Sequence, residues 1–126
     1  MLEDPHIRPI DAIAGRHTAI VNDLYSYQRE VFVAQQKAAS ETSKTIVNAI
    51  VVVMHDQDMD EREAINYLQG HVSQLEDDFW DAVQKAKLCY SGKDLEILQK
   101  YSNAVEVICA GNAKWSEVCG RYNRFA

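Results

Sequence analysis

The stretch Ile46-Val47-Asn48-Ala49-Ile50-Val51-Val52-Val53-Met54 decides the fold class, because its run of β-branched residues reads as a buried strand on propensity alone. No second segment of comparable character exists to pair with it. A lone strand leaves its backbone N–H and C=O groups without partners, so the segment is read as a short buried helix. Outward from it, the chain reads as helix in both directions. Its only prolines, Pro5 and Pro9, precede the first periodic segment, and its five glycines are scattered.

Upstream, a first helix is expected from near Ile10 to about Ala39, with Ile10, Ile13, His17, Ile20, Val21, Leu24 and Val31 as its apolar stripe. Residues 1–9 read as an irregular lead-in, and Ser40-Glu41-Thr42-Ser43 as a polar break. Downstream, Asp60-Glu61-Arg62-Glu63 has the form of a capping box. The third helix carries Ile65, Leu68, Val72, Leu75, Phe79 and Val83 on one stripe and should end near Tyr90, at the Ser91-Gly92 turn. A fourth should run from about Lys93 to Cys119, with Leu95, Leu98, Tyr101, Val105, Ile108, Asn112 and Trp115 on its stripe and Gly120 as its stop. The expected architecture is all-α, a single domain of about four helices.

Bulk composition narrows the function. At 126 residues, 47% hydrophobic and 25% charged, the chain is globular and of single-domain size. A net charge of −6 and the lack of a Lys/Arg run argue against nucleic acid or an anionic membrane as the main partner. Cys89, Cys109 and Cys119 lack paired metal-ligand spacing, so they read as small buried hydrophobes in a reducing compartment. The longest apolar stretch, Ala49 to Met54, is too short to span a bilayer, and the expected location is the cytoplasm.

The polar pattern of interest lies in the first helix. In Asn22-Asp23-Leu24-Tyr25-Ser26-Tyr27-Gln28-Arg29-Glu30, an amide, a hydroxyl and a carboxylate recur every four residues and share one helix face. Continued upstream, that face offers Ala19, Gly15 and Ala12, a strip of small side chains that suits the wall of a ligand cavity better than a solvated surface. The eight residues from Asn22 to Glu30 span about 12 Å of helix. The Cα–Cβ bonds tilt toward the N-terminus, so Glu30 leans back toward Ser26. Hard oxygen donors with only one carboxylate are the partial set that Mg²⁺ takes when a phosphate-bearing substrate completes its shell.

This segment resembles the Asn/Ser/Glu metal motif of class I terpene synthases, including the basic residue before the glutamate. A second segment, Ala110-Gly111-Asn112-Ala113-Lys114-Trp115-Ser116-Glu117-Val118-Cys119-Gly120-Arg121-Tyr122, is similar to the Gly-Asn, Trp, Cys and Arg-Tyr pattern near the end of fungal cyclases. The two occur in the order and separation of that family. The resemblance runs from about Ile10 to Tyr122 and covers the C-terminal third of a cyclase domain. It implies Asn22, Ser26 and Glu30 as Mg²⁺ ligands, and Arg121, Tyr122 and, more weakly, Arg29 as donors to the diphosphate of a linear isoprenyl diphosphate. It also implies Trp115, Asn112 and Ala19 as cavity lining.

The family faces this motif with an aspartate-rich one that belongs upstream of Asn22, where the twenty-one preceding residues hold none. Asp77-Asp78-Phe79-Trp80-Asp81 spells a similar string, but it lies downstream, and the helical wheel turns Asp77 and Asp81 away from the apolar stripe. The expectation is therefore an incomplete cyclase module that self-associates or pairs with a complementing chain. The rival expectation is a non-catalytic helical binding or assembly module from a truncated or degenerate cyclase.

Overall fold

The computed structural model describes residues 4–38 and 48–119, and four helices account for nearly all of them. They are α1 (Arg8–Ala38), α2 (Ala49–Asp56), α3 (Glu61–Lys87) and α4 (Gly92–Val118). The fold is all-α, in agreement with the sequence. Ala39, the polar break at Ser40–Ser43, Ile46, Val47, Gly120, Arg121 and Tyr122 lie outside the described residues.

The helix ends follow local chemistry. Helix α1 starts two residues earlier than expected, after a turn in which the Ile7 N–H donates to the Asp4 carbonyl at 2.9 Å. Pro9 is tolerated because an N–H in the first helical turn has no intrahelical partner to lose. The segment 1–9 is thus helical from Arg8, and Ile7 is fully buried in the core rather than part of a loose lead-in. Helix α2 begins at Ala49, with Asn48 as its N-cap, because the Asn48 side chain accepts from the Ile50 N–H and holds its own backbone extended. Helix α3 opens on the expected capping box: Asp60 Oδ1 accepts from the Glu63 N–H at 2.8 Å, and Glu63 Oε1 accepts from the Asp60 N–H at 3.2 Å. It ends at Lys87, short of Tyr90, and Gly92 at φ +57° makes the turn into α4, a conformation open to glycine at little cost.

Helix α1 packs most extensively on α3 and next on α4, while α3 and α4 touch little. Two buried clusters result. Ile7, Ile10, Phe79, Val83, Ala86 and Leu98 close the end where the α3–α4 turn folds back. Tyr27, Ile50, Ala64 and Leu68 lock α2 between α1 and α3 at the other end. Hydroxyl–carboxylate bonds fasten both ends: Tyr27 Oη donates to Glu61 Oε2 at 3.0 Å, and Tyr101 Oη donates to Asp11 Oδ1.

The α4 stripe read from sequence holds only over its first half. Leu98 is buried, and Leu95, Tyr101 and Val105 pack against the first cluster, but Ile108 is 66% and Trp115 51% exposed. Beyond Val105, Cys109 and the fully buried Ser116 meet Thr18 and Asn22 of α1, while Asn112 of the expected stripe stays partly buried. Cys89 departs from expectation too: it is exposed, with Sγ 3.5 Å from His6 Nδ1. No described helix is long and apolar enough to cross a membrane.

Leu98→Ala should lower unfolding free energy by about 2–5 kcal/mol, since a fully buried leucine leaves a cavity between α1, α3 and α4; urea denaturation measures it. The two tyrosines add an alkaline signature. Tyr27 is pushed up to about 12 by burial and then by Glu61, and Tyr101 to about 12 by its bond to Asp11 and then burial. Each folded value lies above the ordinary 10.0 of the unfolded chain, so the stabilisation is complete below pH 10 and is lost as pH rises toward 12. Denaturation series across that window should show a shallower loss in the Tyr27→Phe/Tyr101→Phe variant than in the parent.

Candidate metal and diphosphate site

The packing of α1 on α3 turns the opposite face of α1 toward the N-terminus of α2 and the C-terminal half of α4. Asn22, Ser26 and Glu30 lie on that face. Ser26 is 9% exposed, and its Oγ donates to Glu30 Oε1 at 2.8 Å, so the tilt of Glu30 back toward Ser26 is realised. Glu30 is partly buried, and its second oxygen, Oε2, accepts from Asn48 Nδ2 at 3.2 Å. The carboxylate is therefore held inside the fold by α1 and by the start of α2. At the other end of the row, Asn22 Oδ1 receives a weak 3.5 Å bond from Ser116 Oγ of α4.

Asp23, next to the row, serves structure. Its Oδ2 accepts from the Ala49 N–H at 2.9 Å, where the exposed N–H groups of a helix start favour negative charge, and its backbone carbonyl accepts from Asn48 Nδ2 at 2.9 Å. These bonds seat α2 on α1.

Upstream of Asn22 the same face of α1 becomes apolar. A groove of about 450 Å³ runs between α1 and α4, lined by Asn22, Ala19, Gly15, Val105, Ile108 and Cys109 among others. Gly15 and Ala19 are exposed and both border this groove. Ala12 does not: Asp11 and Ala14 border this groove, and Ala12 faces a different one, with Pro9, Arg16 and Asp81. The face continues from Gly15 by four residues to Asp11, whereas a step of three carries Ala12 around toward α3.

Of the remaining candidates, Arg29 is partly buried and makes no ion pair among the described residues. Asn112 is partly buried, and its Nδ2 has no hydrogen-bond partner among the described residues. Trp115 is half-exposed on α4 rather than core. Arg121 and Tyr122 lie outside the described residues. Asp77 and Asp81 are exposed on α3, and Asp78 Oδ1 accepts from Gln74 Nε2 at 2.9 Å.

The donor set suits a small hard cation. Oxygens at about 2.0–2.1 Å around an octahedral Mg²⁺ stand about 2.9 Å from their neighbours. Ser26 Oγ and Glu30 Oε1 are already 2.8 Å apart. With one carboxylate in the row, and no group of three or more His, Cys, Asp or Glu among the described residues placed to hold a metal, the row can supply only part of a coordination shell. The rest must come from water, phosphate or residues elsewhere.

Residues 1–78 match the family described as terpene synthase family 2, C-terminal metal binding. The chain belongs to that family. It is 28% identical over 124 residues to (+)-germacrene D synthase of Selaginella moellendorffii, an alignment covering 98% of this chain and 32% of that protein. To the aristolochene synthase of Aspergillus terreus it is 26% identical over 117 residues, 93% of this chain and 35% of the relative. To ophiobolin F synthase oblA of Cochliobolus heterostrophus it is 28% identical over 106 residues, 83% of this chain and 13% of that protein. The chain thus spans about a third or less of the length of these relatives.

Asn48 and Ser116 were missed by sequence reasoning. An asparagine just before Ala49 and an apolar run is an N-cap signal, hidden here by starting the segment at Ile46. No comparable signal marks Ser116, whose burial depends on how α4 docks on α1 beside Asn22. Asp23→Ala should free the Ala49 N–H and weaken α2 by about 1–2 kcal/mol. Hydrogen exchange at Ala49 and Ile50 should quicken, with little change at Val83 in the distant cluster.

Proposed function

We propose that this chain is a terpene synthase-type module in which Asn22, Ser26 and Glu30 hold Mg²⁺ on the diphosphate of a linear isoprenyl diphosphate, for ionisation and cyclisation. The observation that carries the reading is the continuity of the oxygen row with the apolar groove along one face of α1. A diphosphate head at Ser26 and Glu30 leaves a hydrocarbon tail to run past Asn22 along Ala19, Gly15 and Val105. The family's description as metal binding supports the same assignment.

In this reading the ion acts as a Lewis acid on the leaving diphosphate. Glu30 supplies negative charge and Ser26 a neutral oxygen, prearranged by their own hydrogen bond so that little reorganisation is needed on binding. Asn22 sits where head and tail meet. Arg121, Tyr122 and Arg29 are assigned to the diphosphate, because a guanidinium fork matches phosphate oxygens and a phenol adds a donor. Once covered, the apolar groove wall would help keep water from the allylic cation that departure of the diphosphate leaves behind. Trp115 and Asn112 are assigned to the cavity border with Ala19, the indole offering its π-face to positive charge.

One carboxylate cannot neutralise an ion cluster on a diphosphate, so the aspartate-rich half of the cage is assigned to residues beyond these 126. The groove is open along α4, where Ile108 exposes apolar surface. Covering that surface with a second copy or with a complementing cyclase chain would dry the cavity.

Three outcomes follow. Mg²⁺ with pyrophosphate should raise the melting temperature of the chain, and Glu30→Ala should abolish the shift; no shift in the parent favours an idle scaffold. The purified chain alone should give little or no cyclised product from prenyl diphosphates by gas chromatography, and turnover typical of a full-length cyclase would refute incompleteness. Light scattering should show self-association, and a sharp monomer peak would count against it.

A further inference from the structure

The carboxylate of Glu30 has two oxygens, and they are not equivalent. Oε1 accepts from Ser26 Oγ at 2.8 Å, a hydroxyl that can turn on its own bond and belongs to the row itself, whereas Oε2 accepts from the anchored Asn48 Nδ2 at 3.2 Å. Asn48 is 2% exposed and its amide group is fully used. Oδ1 caps α2 by accepting from the Ile50 N–H at 2.9 Å, and Nδ2 donates both to Glu30 and to the Asp23 carbonyl at 2.9 Å. An amide with both hydrogens and its oxygen committed cannot rotate without breaking three bonds. Its cap anchors it to α2, its second hydrogen anchors it to the α1 backbone, and Glu30 is the only mobile partner of the three.

We infer that Asn48 is a positioning and specificity-determining residue for the site: by holding Oε2 it presents Oε1 alone to the cation and favours Mg²⁺ over Ca²⁺. The physical basis is the difference in coordination between the two ions. Ca²⁺ is larger, takes six to eight oxygens and readily accepts a carboxylate through both of its oxygens. Mg²⁺ demands six ligands in near-ideal geometry and takes a carboxylate oxygen singly. A Glu30 whose second oxygen is drawn toward Asn48 offers Oε1 singly, as Mg²⁺ needs, more readily than the pair that suits Ca²⁺. Partners of ligating side chains also tune affinity in general, typically by ten- to a hundredfold. This inference rests on the assignment of Glu30 as a metal ligand.

The test separates the cap from the clamp. Serine and aspartate cap helices about as well as asparagine, so Asn48→Ser and Asn48→Asp keep α2 closed while both remove the amide donor to Glu30. Aspartate preserves the size of the side chain, so it remains informative if the serine variant folds poorly. Binding of Mn²⁺ alone, followed by loss of its free electron paramagnetic resonance signal, gives a site reading in the parent. Displacement by Mg²⁺ or Ca²⁺ then gives the ratio of their affinities. The ratio is read first in Asn48→Ser, because the new carboxylate of Asn48→Asp stands beside Glu30 and adds an oxygen ligand of its own.

The expected result is a parent site that prefers Mg²⁺, with the preference reduced at least tenfold in both variants. Mn²⁺ binding that Glu30→Ala abolishes, together with an unchanged Mg²⁺-to-Ca²⁺ ratio in both variants, would overturn the inference while leaving the metal site intact, and Asn48 would be a helix cap only. Mn²⁺ binding that is absent, or indifferent to Glu30→Ala, would instead remove the metal-site assignment and the inference with it.

Discussion

The packing of α1 on α3 is the constraint from which the rest follows. It buries Ile10 and Val83 at one end and Tyr27 and Leu68 at the other, which fixes the rotation of α1 about its own axis. A helix with one face committed has its opposite face determined, and on α1 that face carries Asn22, Ser26 and Glu30. The polar row is oriented by apolar contacts made on the far side of the helix. Tyr27, one residue along from Ser26, shows the coupling directly: its ring enters the second cluster while its hydroxyl bonds Glu61 at the start of α3.

Helix α2 is short, and its eight residues would not form a stable helix alone. It persists because Ile50 is fully buried between α1 and α3, and because its exposed N–H groups find acceptors on Asn48 and Asp23. The same contacts that make α2 a helix also bring Asn48 to Glu30. Local stability and site geometry share atoms here, so a change at Asn48 or Asp23 acts on both.

Helix α4 has a divided character. Its first half completes the cluster with Ile10 and Val83, while its second half lies on α1 through small or polar side chains, among them Cys109 and Ser116. Small residues on α1 leave a groove rather than a sealed seam, because no side chain fills the space over Gly15. Apolar residues that the helical wheel assigns to the core, Ile108 and Trp115, are exposed instead, Ile108 on the rim of that groove.

Periodicity, caps and turn residues were enough to determine the all-α class, the number of helices and most of their boundaries, because those features depend on neighbours within a few residues. The capping box at Asp60 and the turn at Gly92 are examples. The shared face of Asn22, Ser26 and Glu30 was equally legible, since it follows from a repeat of four residues on a helix. What surrounds that face was not. The bond from Asn48 to Glu30 joins residues eighteen apart, and the contact of Ser116 with Asn22 joins residues ninety-four apart. Neither distance enters a helical repeat. That Oε1 of Glu30 meets a partner on its own helix and Oε2 one from α2 was decided only when α2 docked on α1, because the direction of a side-chain hydrogen bond between helices depends on their relative placement.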